Sequence, residues 1–541
     1  MRIVYRAIII CVAGIFQLNI NGLNQINAKE KSCLNNNQND KYEIQFNSND
    51  NDLVRKIKSM HLKDAIITNI QNIPAGDTVW IDGNKITDLP AFIRVSFTSK
   101  PTLESNIRCE LWLPKNSWNG RFLGTGNGGG AGNILYAPLI DGLRRGFATA
   151  NTDMGTSPGV YEIIGSYEKY KDFGYRATHE MTVISKEIIR VFYGKSATYS
   201  YFVGVSTGGQ QALMEAQRFP NDYNGIIAGL PANNRTHLHA SFIWNLIANN
   251  QGESNEILSQ NKMKFLSEMV IQNCVGQDGG APADHFISDP RLCHFNLELL
   301  PVCSGDLESD SCFTLDEMAV LKKIYEGTVN QKTGERIYTP IPIGGDHLEN
   351  SFPHLYIFNW VFGKNFDYKK FDFNRDMDKV DAILAPILNA NNPDLSSIKD
   401  RGGKILMYAG TDDQLVPFQD AVNYYERVIQ KQGGLEQTQC FFRFYIVPGM
   451  GHGRRGKSGL FFEDILSPIM DWVEKDLPPY KLISTTTING KDSVKLRVER
   501  PVFPYPEFPH YKGGDPNSAD SYTPTNHPRG NVLIPSQKYL K

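Results

Sequence analysis

Ser206 stands in Gly204-Val205-Ser206-Thr207-Gly208, with a third glycine at Gly209. A serine hydroxyl becomes a nucleophile when it is held exposed, beside a base and opposite donors for the oxyanion. G-x-S-x-G meets the first condition where a strand enters it and a helix leaves it, because the sharp turn leaves the serine at its apex. Both flanks fit this context. Tyr199–Val203 is a short aromatic-rich run that predicts a buried strand, and Gln210–Phe219 predicts a helix stopped by Pro220. The helix start presents free N–H groups to an anion forming there. The alternative is a serine that caps an ordinary helix.

A nucleophile of this type is followed in the chain by an acid and then by a histidine. Lys404–Ala409 predicts a core strand, and Asp412 and Asp413 lie on the loop after it. Either carboxylate could orient a base; Asp413 is favoured, with Asp412 as the alternative. Three histidines follow, His452, His510 and His527. The last two sit in a proline-rich tail. His452 lies on a glycine-flanked loop after the predicted strand Phe441–Val447. The candidate set is therefore Ser206, His452 and Asp413, a constellation that transfers acyl groups.

Other elements must position this set. Gly124–Gly132 follows a predicted strand at Arg121–Leu123. It lacks the Gly-Lys-Ser/Thr end of a phosphate-binding loop. In an esterase such a loop lends one oxyanion N–H and the residue after the nucleophile lends the other. The expected donors are Gly129, favoured within the loop, and Thr207. Phe92–Thr98 and Ile107–Leu113 predict antiparallel strands joined by Ser99–Ser105, and Thr178–Arg190 predicts a helix. His179, which precedes the serine, is read as a structural histidine.

The chain has 541 residues and a net charge of −2. The length exceeds one ordinary core, so a catalytic domain with a large insertion is expected. The charge balance argues against a nucleic-acid partner. Arg2 and Arg6 precede a short apolar run, Ala7–Phe16, which suits a signal peptide over residues 1–28 and is too short to span a membrane. Residues 29–62 form an N-terminal leader, rich in Asn, Asp, Lys and Gln at its start. The catalytic core is expected at 63–234 and 381–541, interrupted by 235–380, where turn residues and cysteines cluster.

Several stretches beyond the serine carry a resemblance. They are Gly126-Asn127-Gly128-Gly129-Gly130-Ala131-Gly132, Arg145 to Asp153 (RGFATANTD), Asp172 to His179 (DFGYRATH) and Arg443 to His452 (RFYIVPGMGH). With the elbow they resemble the tannase and feruloyl esterase family over residues 85–520. The resemblance implies an α/β-hydrolase core with a large inserted lid domain over 235–380. It also implies hydrolysis of aromatic esters, with galloyl, feruloyl or caffeoyl acyl groups on a small molecule or plant polymer. No organic cofactor is implied.

The same resemblance supplies finer expectations. Phe242, Trp244 and Trp360, with Tyr356 and Phe358, are candidates for an aromatic slot. Cys274–Cys293 and Cys303–Cys312 match family disulfides. A structural calcium is expected between the first pair, on Asp278, Asp284 and the backbone oxygens of Gly280 and Phe286. Cys33 with Cys109 would replace a family disulfide whose partner position is Ile93. The family disulfide beneath the triad is missing, because Val205 and Gly453 occupy its positions. An exported protein follows, secreted or periplasmic, with no membrane partner after signal cleavage. The rival functions are a serine hydrolase of another specificity, such as a lipase or peptidase, and a catalytically idle binding protein of the same fold.

Overall fold

Short apolar runs bounded by glycine, proline and asparagine assemble into a single large sheet. The computed structural model describes residues 48–81, 83–250, 256–304, 309–349, 352–453, 456–489, 495–526 and 534–540. The expected signal peptide, most of the leader and Cys33 lie outside these residues. The sheet has nine strands: β1 (Ala65–Ile73), β2 (Phe92–Ser99), β3 (Ile107–Pro114), β4 (Arg121–Thr125), β5 (Ala148–Thr152), β6 (Tyr199–Val205), β7 (Gly225–Gly229), β8 (Lys404–Gly410) and β9 (Phe442–Val447). Their spatial order is β1-β2-β3-β5-β4-β6-β7-β8-β9.

The first three strands pair antiparallel, with Phe92 opposite Pro114 and Ser99 opposite Ile107. β3 pairs antiparallel with β5. From β5 onward every pairing is parallel. β5 and β7 are buried along their whole length, as strands covered on both faces must be. Parallel strands all end at one edge, and loops at that edge carry sites in open α/β sheets. Here the loops after β4, β6, β8 and β9 emerge together.

Helix α1 (Ala177–Tyr193) packs behind β5, and α2 (Thr207–Arg218) leaves the end of β6. The chain between β7 and β8 makes the insertion. It opens with α3 (Arg235–Asn249), includes α4 (Tyr356–Phe362) and returns through α5 (Arg375–Leu388). Helix α5 runs across the boundary expected at residue 380. Part of the insertion has its own core, built on Leu266, Val270, Phe313, Leu321 and Ile324. Both expected disulfides, Cys274–Cys293 and Cys303–Cys312, are formed there. Cys109 is a buried free thiol and Cys440 an exposed one.

The expected proline-rich tail is more ordered than its composition implies. It folds as two antiparallel pairs, Leu482–Asn489 with Lys495–Val502 and Glu507–Tyr511 with Tyr522–Asn526. Tyr539 then buries its ring completely against the core. Among the described residues no helix is long and apolar enough to cross a membrane.

Candidate active site

Strand β6 ends at Val205, and α2 begins at Thr207. Between them Ser206 is held at φ 63° and ψ −116°. A non-glycine residue adopts positive φ at a cost, and only where its surroundings fix it. The fixing groups are visible: the Ser206 N–H donates to Gly229 O at 2.9 Å, and its carbonyl accepts from Ala232 N–H at 3.2 Å. Strand and helix come this close because neither Gly204 nor Gly208 has a side chain. A Cβ on Gly204 would overlap the Gly208 carbonyl.

The glycine loop after β4 packs directly on this elbow. A Cβ on Gly126 would lie 2.6 Å from Gly208 Cα. The Asn127 N–H donates to Gln211 Oε1 at 2.8 Å, and the Asn127 carbonyl accepts from the Gly208 N–H at 2.8 Å. The Gly208 amide is therefore committed. Neither the Thr207 nor the Gly129 amide has a hydrogen-bond acceptor among the described residues. The Gly128 carbonyl accepts from Ala131 N–H at 3.0 Å, and the Gly129 carbonyl accepts from Thr207 Oγ1 at 2.7 Å.

On the loops after β8 and β9, His452 Nδ1 and Asp413 Oδ2 lie 2.9 Å apart. A carboxylate only accepts, so Nδ1 carries the proton and Nε2 is the basic nitrogen. Oδ1 of Asp413 accepts from the amides of Leu415 at 2.9 Å and Val416 at 2.8 Å. Asp413 is completely buried. Asp412 plays another part: its Oδ2 accepts from the Lys457 amide at 2.9 Å. Burial pushes the Asp412 carboxyl up to about 6. Of the two carboxylates left open by the sequence, Asp413 is the one that meets His452. Gly453, one half of the missing disulfide, has φ 76°, a conformation that cysteine resists.

One residue central to this geometry had no recognisable sequence signal. Arg235 opens α3 and is 2% exposed. It donates through Nη1 to Thr207 Oγ1 at 3.1 Å and Gln210 Oε1 at 2.8 Å. Through Nη2 it reaches the Gly129 carbonyl at 3.1 Å and the Tyr356 hydroxyl. Nearby, His239 Nδ1 donates to the His354 carbonyl at 2.6 Å. Burial, followed by the charge of Arg235, lowers both histidines, His354 to about 4.

The aromatic slot is smaller than expected. Trp244 donates through Nε1 to Lys323 O and packs edge-on against Phe373. Trp360 donates to Val160 O and stacks on Tyr170. Both indoles are buried with their one donor satisfied, so they are core, and their place in the slot is corrected. Phe358 likewise packs among Phe366 and Phe371. Phe242 alone of the three candidates borders a cleft, a narrow one of about 10 Å³, with Ser241, Asn245, Leu348, Glu349 and Leu415.

The residues proposed for calcium do not fit the ion. Calcium takes six to eight oxygen ligands. Oδ1 of Asp278 accepts from Gly276 and Gly280 amides, and its Oδ2 accepts from the Ser288 amide at 2.5 Å. Asp284 accepts from Ala281 N–H and pairs with the Arg500 guanidinium at 2.7 Å. Arg500 is 2% exposed. Every carboxylate oxygen in the loop thus has a donor, and a guanidinium supplies the positive charge.

Among the described residues, only His179, Glu215 and Asp222 bring three metal-capable side chains within 4.8 Å. They brace the far end of α2. His179 Nδ1 bonds Asp222 Oδ2 at 2.6 Å, and its ring stacks on Phe219. Lys186 and Arg401 already bring positive charge to this segment, through the carbonyls of Asp222 and Tyr223. Burial, reinforced by the Asp222 charge, pushes the Glu215 carboxyl well up.

The sheet order, the elbow and the pair on the following loops define an α/β-hydrolase with an insertion after β7. The family profile described as tannase and feruloyl esterase matches residues 92–362 and 356–525. An uncharacterized esterase of Xanthomonas campestris pv. campestris is 32% identical over 533 residues, 88% of this chain and 91% of that one. Feruloyl esterase B of Aspergillus niger is 28% identical over 479 residues, covering 83% of this chain and 90% of that one. The structure of feruloyl esterase B from Aspergillus oryzae superposes with a TM-score of 0.78 at 24% identity, over 87% of this chain and all of that chain. Tannin acyl hydrolase from Aspergillus niger superposes at 0.70 and 20% identity, over 88% and 95%. The chain belongs to the tannase and feruloyl esterase family and is a carboxylic ester hydrolase.

Proposed function

We propose that the chain hydrolyses esters of aromatic acids through an acyl-serine intermediate, with Ser206, His452 and Asp413 as the triad. The observation that carries this reading is the His452–Asp413 bond of 2.9 Å, on loops at the same sheet edge as the strained Ser206. Asp413 fixes the imidazole so that Nε2 takes the Ser206 proton. Ser206 Oγ then attacks the ester carbon. The negative charge moves to the carbonyl oxygen, which the N–H groups of Thr207 and Gly129 receive. Collapse of this intermediate expels the alcohol, protonated by His452. Water, deprotonated by the same nitrogen, releases the acid from Ser206.

The aromatic acyl preference rests on the similar proteins. Two of them are a feruloyl esterase and a tannin acyl hydrolase. The insertion after β7 acts as the lid that covers the acyl group. Export is supported by the apolar run at Ala7–Phe16 and by the two disulfides.

The test is a hydrolysis panel. Methyl ferulate, methyl gallate and chlorogenate are compared with a triglyceride and a peptide amide. Turnover of at least one aromatic ester well above the last two is expected. Preferred cleavage of the triglyceride or the amide would overturn the aromatic assignment.

A further inference from the structure

Arg235 combines three properties that rarely occur together. It is buried, it is charged, and among the described residues no carboxylate lies within ion-pair distance. An unpaired charge is costly to bury. A structural role would be met more cheaply by a neutral donor such as glutamine. Its four partners are a hydroxyl, an amide oxygen, a backbone carbonyl and a phenol, and its guanidinium also lies 5.0 Å from the centre of the Phe173 ring. The charge is therefore left uncancelled next to Gly129 and Thr207. The lowered histidines beside it feel that field.

The hydrogen bonds say where the field and the geometry act. A peptide is planar, and its N–H points opposite to its carbonyl. Fixing the Gly129 carbonyl fixes the 129–130 peptide. Fixing the Gly128 carbonyl, through Ala131, fixes the peptide that carries the Gly129 N–H. Gly129 has φ 55°, and the flanking Gly128 and Gly130 have no side chains, so beyond the Ala131 bond no side chain of these three residues steadies the loop. Arg235 and Thr207 Oγ1 hold the Gly129 carbonyl, and with it the next peptide, from outside the loop, and Arg235 holds Thr207 Oγ1 as well.

We propose that Arg235 is the positioning residue of the oxyanion hole: its guanidinium clamps the glycine loop to the elbow so that the amides of Gly129 and Thr207 converge, and its uncancelled charge favours the anion formed between them. This rests on the acyl-serine reading. It also gives the insertion a catalytic duty, because Arg235 is the first residue of its first helix and Tyr356 of α4 completes the clamp. Seating of the lid and completion of the hole are then one event.

The experiment measures kcat and KM for methyl ferulate in the wild type, Arg235→Met and Arg235→Lys, together with melting temperature. Loss of one oxyanion donor typically lowers kcat about 100-fold. Arg235→Met is expected to lose about 10- to 100-fold in kcat with KM changed by less than about threefold. Arg235→Lys, which keeps the charge and one donor, is expected to recover part of that loss. Unchanged kcat in a folded Arg235→Met would overturn the proposal. So would a loss that Arg235→Lys does not recover at all. If Arg235→Met does not fold, Arg235→Lys decides: kcat lowered at constant KM supports the clamp, and wild-type kcat overturns it. A fluorophosphonate control separates this from the underlying reading. Absence of a Ser206 adduct in the wild type refutes the acyl-serine mechanism itself. A labelled wild type with an indifferent Arg235 refutes only the clamp.

Discussion

His452 donates through Nδ1 to Oδ2 of Asp413 at 2.9 Å, while Asp412, one residue earlier, accepts from the Lys457 amide. In the proposed mechanism one carboxylate orients the base, and its neighbour staples the loop that carries His452. The two should therefore respond differently to loss of charge. Asp413→Asn is expected to lower kcat by about 10⁴-fold in a folded protein, because the wrong tautomer is then favoured. Asp412→Asn should leave kcat within a few-fold. Steady-state kinetics on both variants checks this, and a crippled Asp412→Asn would reverse the assignment.

Asp412 also makes stability depend on pH. Its carboxyl is pushed up to about 6 by burial, above the unfolded value of about 4. Its contribution is thus fully present below about pH 4 and is lost as pH rises through 6. Asn in its place should raise the melting temperature more at pH 8 than at pH 5. Thermal melts of both proteins at the two pH values give the result. An equal shift at both would show that Asp412 does not titrate in this range.

The elbow predicts its own sensitivity. A Cβ at Gly204 would overlap the Gly208 carbonyl, whereas a Cβ at Gly208 would lie 3.1 Å from Asn127 O. Gly204→Ala should cost about 3 kcal/mol and Gly208→Ala about 1 kcal/mol, the high and low ends of overpacking. Urea denaturation orders them. The reverse order would mean that strand and helix do not approach as described.

Much of this was legible in the sequence. The strand before Ser206 and the helix after it lie within two or three residues of their expected limits. The strands before Asp413 and His452 do so as well, since all of them are buried runs ended by glycine or proline. What was not legible depends on contacts distant in the chain. Arg235 meets Gly129 across 106 residues and Tyr356 across 121, and no local pattern encodes such a meeting. The tryptophans were misplaced because an indole reads the same in a slot as in a core. Only its donor's partner, here a carbonyl, tells them apart.

The calcium loop turns on a distant contact in the same way. Asp278 and Asp284 stand at plausible spacing, but the cation that meets Asp284 comes from Arg500, 216 residues away. Exhaustive chelation should leave the melting temperature unchanged. Arg500→Met, which strands a buried carboxylate, should cost about 3–5 kcal/mol. A melting temperature that falls on chelation in the wild type would restore the ion and remove this role from Arg500.

The central claim is that Ser206 is the nucleophile, and the most direct measurement is peptide mass spectrometry after reaction with a fluorophosphonate. The account predicts one adduct, on Ser206, formed with parallel loss of esterase activity. It also predicts that no adduct forms in Ser206→Ala, and that labelling is slowed in His452→Ala and Asp413→Asn. An adduct on another serine, or an active protein that takes no label at all, would contradict it.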